Sequence, residues 1–313
     1  MICPPRIGLA LGSGGARGLT HIGVLKGLVK HGIAIDVITG SSMGAVVGAM
    51  YAATRDTAWV EQRFREMFTS DAYTESGINW IKARTPGSEP VFLQWAARYI
   101  RNKIVLSFSD SRPGVVKSER LARVIEFLLP VRTFDELRLP FACCAVDLHS
   151  GRDVVLDRGD LVKAVVASGS IPGYLPPVTT DNGLLIDGAA GQPVPGAVAR
   201  QLGAEFIIAV DVSIDYFAPL AEQNILGIIA RASEISATKL SQAQEHQWDF
   251  HIHPDTLNVH WTQFDQLEQL VSNGELAVDR GISELKEKLR ERQGVKGWLR
   301  RTRGRIPALS PEA

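Results

Sequence analysis

Apolar positions follow two periods along this chain, one suited to strands and one to helices. RIGLAL (6–11) is a short apolar run that ends close to glycine, which suits a buried strand. GLTHIGVLKGLVKHG (18–32) sets Leu19, Ile22, Leu25, Leu28 and Val29 on one helical face, with Gly32 placed to stop the helix. IDVIT (35–39) reads as a second strand, GSSMG (40–44) as a tight turn, and AVVGAMYAA (45–53) as a buried helix of small residues. This β-α-β-α opening predicts a parallel sheet with right-handed crossovers.

Later elements follow the same logic. FACCAVDL (141–148) and FIIAVDVS (206–213) are apolar enough for central strands. DVVLD follows the first across HSGR, and VTTDNGLLID (178–187) carries an Asn-Gly hairpin signal. DLVKAVVAS and PVPGAVARQLG read as helices, the second with prolines near its start. Residues 75–118 hold Trp80, Trp95, Pro86, Pro90 and Pro113 amid scattered charge. They read as an insertion, either a cap over a site or an ordinary surface excursion. Residues 263–292 form a long amphipathic helix, and 293–313 are a basic tail. One domain over 1–292 followed by that tail is the expected organisation, with no internal repeat.

Composition narrows the classes. A chain of 313 residues with 45% hydrophobic content can bury one large core or two modest ones. Lys+Arg and Asp+Glu are equal at 34 each, so no bulk charge draws it to nucleic acid. Cys3, Cys143 and Cys144 cannot make a disulfide framework, and the adjacent pair in an apolar run reads as core packing in a reducing compartment. The opening residues lack a signal-peptide pattern and no apolar stretch is long enough to span a bilayer, so a cytoplasmic protein is expected. Trp298 and Leu299 among Lys296, Arg300, Arg301, Arg303 and Arg305 read as a peripheral contact with anionic lipid or as a solvated basic tail.

Gly40-Ser41-Ser42-Met43-Gly44 fits G-x-S-x-G between a strand and a helix, the setting of a nucleophile elbow. A serine that merely caps the helix fits the same string. The earlier glycine cluster, LGSGGARGL (11–19), admits three readings. A P-loop fails because Ala16-Arg17-Gly18 stands where Gly-Lys-Ser/Thr is required. A dinucleotide site has Gly12 and Gly14 but Arg17 in place of the third glycine, with Asp36 as its acidic residue. In an oxyanion hole, Gly14 and Gly15 offer bare N–H groups at a helix start to a charge that forms on a carbonyl oxygen.

A serine nucleophile needs a base. Asp187 ends an apolar strand before Gly188, so it is either a carboxylate emerging at a strand end or a solvated loop residue. His21 and His31 lie in the first helix, His149 in a turn, and His246, His251, His253 and His260 late. His251-x-His253 points one way on a strand, a spacing that suggests metal, but no carboxylate or cysteine cluster completes it, so core or surface histidines are expected.

Four blocks in order carry a resemblance: Gly14-Gly15-Ala16-Arg17-Gly18, Gly40-Ser41-Ser42-Met43-Gly44, Ala167-Ser168-Gly169-Ser170-Ile171-Pro172, and Asp187-Gly188-Ala189. Together they resemble the patatin-like phospholipase family, especially compact bacterial members related to neuropathy target esterase. The resemblance spans roughly residues 6–215. It implies an α/β fold, a three-layer α/β/α sandwich with a mostly parallel central sheet. It also implies hydrolysis of lipid acyl esters without a metal or cofactor. Carried over by position, Ser42 is the nucleophile and Asp187 its partner in a Ser–Asp dyad. Gly14, Gly15, Ala16 and Arg17 form the oxyanion hole, and Gly40, Gly44, Gly188 and Ala189 shape the motifs. Ser13 interrupts what in the family is often three consecutive glycines. The other reading in play is a non-catalytic nucleotide- or anion-binding α/β protein.

Overall fold

The apolar runs become strands covered on both faces. In β1 (Ile7–Leu11), Ile7, Leu9 and Leu11 enter the larger core while Ala10 joins a smaller one opposite. Gly8 shares that second face, where a methyl group on it would stand 2.6 Å from the Ala204 Cβ. Strands buried on both sides suit a parallel sheet with helices on each face. The computed structural model describes residues 4–76, 118–181, 183–214, 216–217, 219 and 225–293. The expectations for a cap at 75–118 and a tail at 293–313 fall almost wholly outside them.

β1 pairs in parallel with β2 (Val37–Ser41) on one side and β7 (Phe206–Val210) on the other. β3 (Phe141–Asp147) adds in parallel beyond β2, and β8 (Phe250–Ile252) beyond β7. One face packs against α1 (Thr20–Lys30), α2 (Met43–Thr54), α3 (Thr57–Phe68) and the long α9 (Leu267–Gln293). α1 lies along α9, so the C-terminal helix closes over the same core as the first one. The short α4 (Asp71–Ser76) meets α5 (Ser118–Leu128), which packs on α6 (Leu161–Ser168). The other face is covered by α7 (Gly196–Gln201) through Val198 and Ala199, and α8 (Ile225–Gln244) reaches it through Ser241. The chain is an α/β/α sandwich with a parallel centre.

The far end of the sheet is antiparallel and decides where the site forms. β3 bonds three strands: β2, β4 (Asp153–Leu156) and β6 (Gly183–Asp187), the last forming a hairpin with β5 (Val178–Thr180). A strand has only two edges. β4 pairs with Cys143 to Val146, overlapping β2 at Cys143 and Cys144 and β6 at Ala145 and Val146. Both β2 and β6 must therefore lie on the edge opposite β4, end to end. β2 runs one way and stops with Ser41 opposite Cys144. β6 runs the other way and stops with Asp187 opposite Ala145. The two strand tips meet head-on.

Several boundaries shift from those the pattern predicts. A 3-10 turn, Gly15–Leu19, precedes α1, and Val29 is 48% exposed because α1 ends one residue later. Gly32, at φ +70°, stops the chain as expected. Gly40 and Ser41 belong to β2 and α2 starts at Met43, so the predicted five-residue turn contracts to Ser42 alone. α3 was not apparent from its apolar positions, although Asp56 caps it by accepting the Ala58 and Trp59 amides. Cys143 and Cys144 are both buried but point to opposite faces of β3, which keeps neighbouring thiols from pairing.

Candidate active site

Ser42 is the hinge of a strand–residue–helix joint. Its backbone sits at φ 54° and ψ −120°, a strained setting for a residue with a side chain. The joint closes only because its flanks are bare. A Cβ on Gly40 would lie 2.4 Å from the Gly44 carbonyl oxygen, and one on Gly44 would lie 2.1 Å from the Leu11 carbonyl oxygen. The Ser42 amide donates to Ser168 Oγ at 3.1 Å, which helps hold the strained backbone. Ser42 makes no side-chain cap to its helix. Its hydroxyl is spent elsewhere.

Ser42 Oγ donates to Asp187 Oδ2 at 2.7 Å, across 145 positions of sequence. The other carboxylate oxygen, Oδ1, accepts the Ala189 amide at 2.8 Å, and the Asp187 amide donates to the Ser170 carbonyl at 3.0 Å. Gly188 lets the chain turn away at this point, since a Cβ there would lie 2.3 Å from the Cys144 carbonyl oxygen and 2.6 Å from Ser41 Oγ. Ser42 and Asp187 are 7% and 5% exposed, so the pair is nearly out of water. Burial pushes the Asp187 carboxyl up to about 6, against the opposing pull of its bonds from Ala189 and Ser42. A carboxylate tuned there is a competent general base near neutral pH, and the serine beside it is oriented to give up its proton.

The glycine cluster lies against this joint. Gly12 donates its amide to the Val210 carbonyl at 2.9 Å and Ser13 to the Pro193 carbonyl at 2.8 Å. Ala16 donates to the Trp261 carbonyl at 2.7 Å, and Arg17 to the Gly14 carbonyl at 3.2 Å. The four residues suggested by the sequence differ in their backbone bonds. Ala16 and Arg17 have committed amides, whereas those of Gly14 and Gly15 meet no acceptor among the described residues. Gly15, at φ +56°, lies so close to Trp261 that a Cβ would sit 2.4 Å from its carbonyl oxygen. Gly18 packs on Met43, the residue after Ser42, which brings the turn to the mouth of the elbow. The Arg17 side chain is buried in an ion pair with Glu234 of α8 at 2.7 Å, tying the turn to the second helical layer.

The histidines stand apart from the dyad. His21 is fully buried, bonds the Gly12 carbonyl through Nε2 at 2.7 Å, and is pushed down to about 4 by burial. His31 meets Asp279, and His246 bonds the Ala243 carbonyl. Among the described residues, none bonds Ser42 or Asp187. Asp36, the acidic residue a dinucleotide site needs, accepts the Ile7 amide at 2.7 Å. It sits at the opposite end of β1 from the glycine cluster. Sequence reasoning missed Ser168 and Ser170 as positioning groups, and Trp261 altogether. It also left His251 and His253 without a carboxylate, which Asp211 supplies.

The family model for patatin-like phospholipase matches residues 9–200. An uncharacterised NTE family protein of Mycobacterium tuberculosis is 33% identical over 223 residues, covering 71% of this chain and 53% of the relative. Human patatin-like phospholipase domain-containing protein 6 is 33% identical over 208 residues, 66% of this chain and 13% of that protein. The neuropathy target esterase sws of Drosophila melanogaster is 30% identical, with the same two coverages. The chain spans about half the length of the mycobacterial relatives it matches. Among solved structures, VipD from Legionella pneumophila aligns with a TM-score of 0.46 and 12% identity over 90% of this chain and 67% of that one.

Proposed function

Because the chain belongs to the patatin-like phospholipase family, we propose that it is a serine lipid acyl hydrolase working through a Ser42–Asp187 dyad. The observation that carries this is the buried 2.7 Å hydrogen bond from Ser42 Oγ to Asp187 Oδ2 on a strained elbow. Ser42 Oγ attacks the ester carbonyl carbon while Asp187 takes its proton. The carbonyl oxygen gains negative charge and meets the open amides of Gly14 and Gly15. Collapse expels the alcohol, protonated by Asp187, and leaves an acyl-serine. Water then attacks that ester with the same carboxylate as base, releasing the fatty acid and restoring the hydroxyl. The substrate is a phospholipid or lysophospholipid ester, and residues 1–292 make up one hydrolase domain. Packing of α9 along α1 supports that boundary. Among the described residues no helix is long and apolar enough to cross a membrane.

Labelling the purified chain with a fluorophosphonate probe tests the central claim, since only an activated serine reacts. A panel of phospholipid, lysophospholipid and simple esters then ranks the substrates. A protein that neither labels nor releases fatty acid from any of them is not this enzyme. The non-catalytic anion-binding reading would be the one to survive that result.

The open amides make a separate prediction. Gly14→Ala puts a methyl group against the Val212 side chain, 2.5 Å from its Cγ2, and should displace the turn slightly. The expected result is a drop in kcat of about 10²-fold with KM nearly unchanged, because a donor that engages the oxyanion acts mainly in the transition state. Steady-state kinetics on a soluble ester reads the split. A pure rise in KM would mark the turn as a ground-state ligand site. Gly15→Ala is the poorer probe, since its positive φ and the Trp261 backbone make it a folding defect first.

A further inference from the structure

Two strands away from the dyad, the parallel pair β7–β8 gathers three metal-ligating side chains. Ala209 faces His251 and Val210 faces Ile252 in register, and the Asp211 amide donates to the Ile252 carbonyl at 3.1 Å. His251 and His253 are two apart, so both project from the face that holds Ala209, and Asp211 continues that face. One ligand atom from each of Asp211, His251 and His253 lies within 4.8 Å of the others. A tetrahedral zinc ion with bonds of about 2.0–2.2 Å holds its ligand atoms ~3.3 Å apart, so small side-chain rotations close the set.

We propose that Asp211, His251 and His253 form a binding site for a divalent transition-metal ion of the zinc type. Two imidazoles and one carboxylate suit zinc and its neighbours, whereas calcium and magnesium favour all-oxygen sets. The surroundings are already built. Asp211 is buried, with Oδ1 accepting the Ser213 amide at 2.8 Å and Oδ2 the Ser241 hydroxyl at 2.6 Å. Each oxygen keeps a lone pair for an ion, and these bonds hold the carboxylate in place. The His251 ring lies 5.0 Å from the Trp248 ring and 5.7 Å from that of His253. Three protein ligands leave a fourth position to water or an outside ligand.

An ion here ties β8 to β7, and through Asp211 and Ser241 it also ties in α8. The same stretch supports the glycine turn: Val210 accepts the Gly12 amide and Val212 packs on Gly14. The ion is therefore a clamp beneath the oxyanion turn rather than a participant in ester cleavage.

The test is titration of the chelator-stripped full chain with zinc chloride by calorimetry, with cobalt chloride absorption as a coordination readout. The expected result is one ion per chain with a Kd of about 10 µM or tighter, and a rise of a few degrees in Tm at saturation. His251→Ala and His253→Ala should each weaken binding at least ~10-fold, and the double variant should lose the Tm response. His246→Ala removes an exposed histidine outside the cluster and should bind as the wild type does. Both cluster histidines lie at the surface end of the site, so their alanine variants keep the fold while Asp211→Asn need not. Binding weaker than ~100 µM, equal binding by the double variant, or equal loss in His246→Ala each overturns the site.

Discussion

Ser42→Ala is expected to fold as the wild type does, lose all fluorophosphonate labelling and lose ester hydrolysis by about 10⁴-fold or more. The hydroxyl makes one bond, to Asp187, so its removal leaves the elbow and its glycine contacts in place. Ser41→Ala is the matched control. Ser41 Oγ is buried against Gly188 and has no hydrogen-bond partner among the described residues, so its loss should leave substantial activity. Asp187→Asn keeps the shape, retains an acceptor for the Ala189 amide and removes the base, so it should be nearly as damaging as Ser42→Ala. Individual alanine substitutions at His21, His31, His149, His246, His251, His253 and His260 should leave activity wherever the protein folds. One folded histidine variant as inactive as Ser42→Ala, beside an active Asp187→Asn, would replace the dyad with a Ser–His–Asp arrangement.

The second large effect is a conflict between activity and stability at Asp187. Burial raises this carboxyl to about 6 in the folded protein, from 3.8 when solvated. Catalysis needs it ionised, so kcat/KM should fall on the acid side with a midpoint near pH 6. A carboxylate at its solvated value would put that limb below the histidine range. Desolvation moves the limb into that range, which is why substitution separates the bases better than the profile does. For stability the sign runs the other way. An acid whose folded pKa is raised binds its proton more tightly when folded, so its contribution improves as pH falls from about 6 towards 4. At neutral pH the folded state carries the penalty of a buried carboxylate, two pKa units or roughly 3 kcal/mol. Asp187→Asn should therefore be inactive yet raise Tm at pH 7.5, with the gain shrinking by pH 4. Thermal denaturation at both pH values reads this directly. A variant less stable than the wild type at pH 7.5 would mean the carboxylate is better solvated than its burial implies.

What could be read from the chain followed the range of the physics involved. The parallel centre was legible because β1 and β7 are continuous apolar runs with helical periodicity close by. The elbow was legible because Gly40 and Gly44 meet each other locally. β8, at three residues, was legible only as the strand-like spacing of His251 and His253, and its pairing was not, because Ala209, opposite His251, lies 42 positions earlier. For the same reason the pair His251 and His253 looked incomplete: Asp211 joins them only through strand register. Trp261 was invisible as a neighbour of Gly15, since nothing in either segment records the contact. Ser168 sat inside a recognised block, yet its bond to the Ser42 amide spans 126 positions and depends on how α6 docks. Asp36 fitted a spacing rule until the strand direction put it at the wrong end of β1.

The head-on meeting of β2 and β6 makes β3 a ruler for the dyad. Ser41, the residue before the nucleophile, and Asp187 are read off against successive residues of β3, Cys144 and Ala145, so the strand tips that carry nucleophile and base are one backbone step apart. That spacing is set by register on β3 and not by the length of the connections that lead into β3 and from it into β6. A connection can lengthen without detuning the pair, provided both tips still dock on β3 and Ser168 and Ser170 keep their bonds to Ser42 and Asp187. Slippage is a different matter. Moving β6 by one residue would turn the Asp187 side chain to the opposite face of the sheet and leave Ser42 beside Ile186 or Gly188. Evolution can thus lengthen the connection cheaply, while the β3 register admits no intermediate setting.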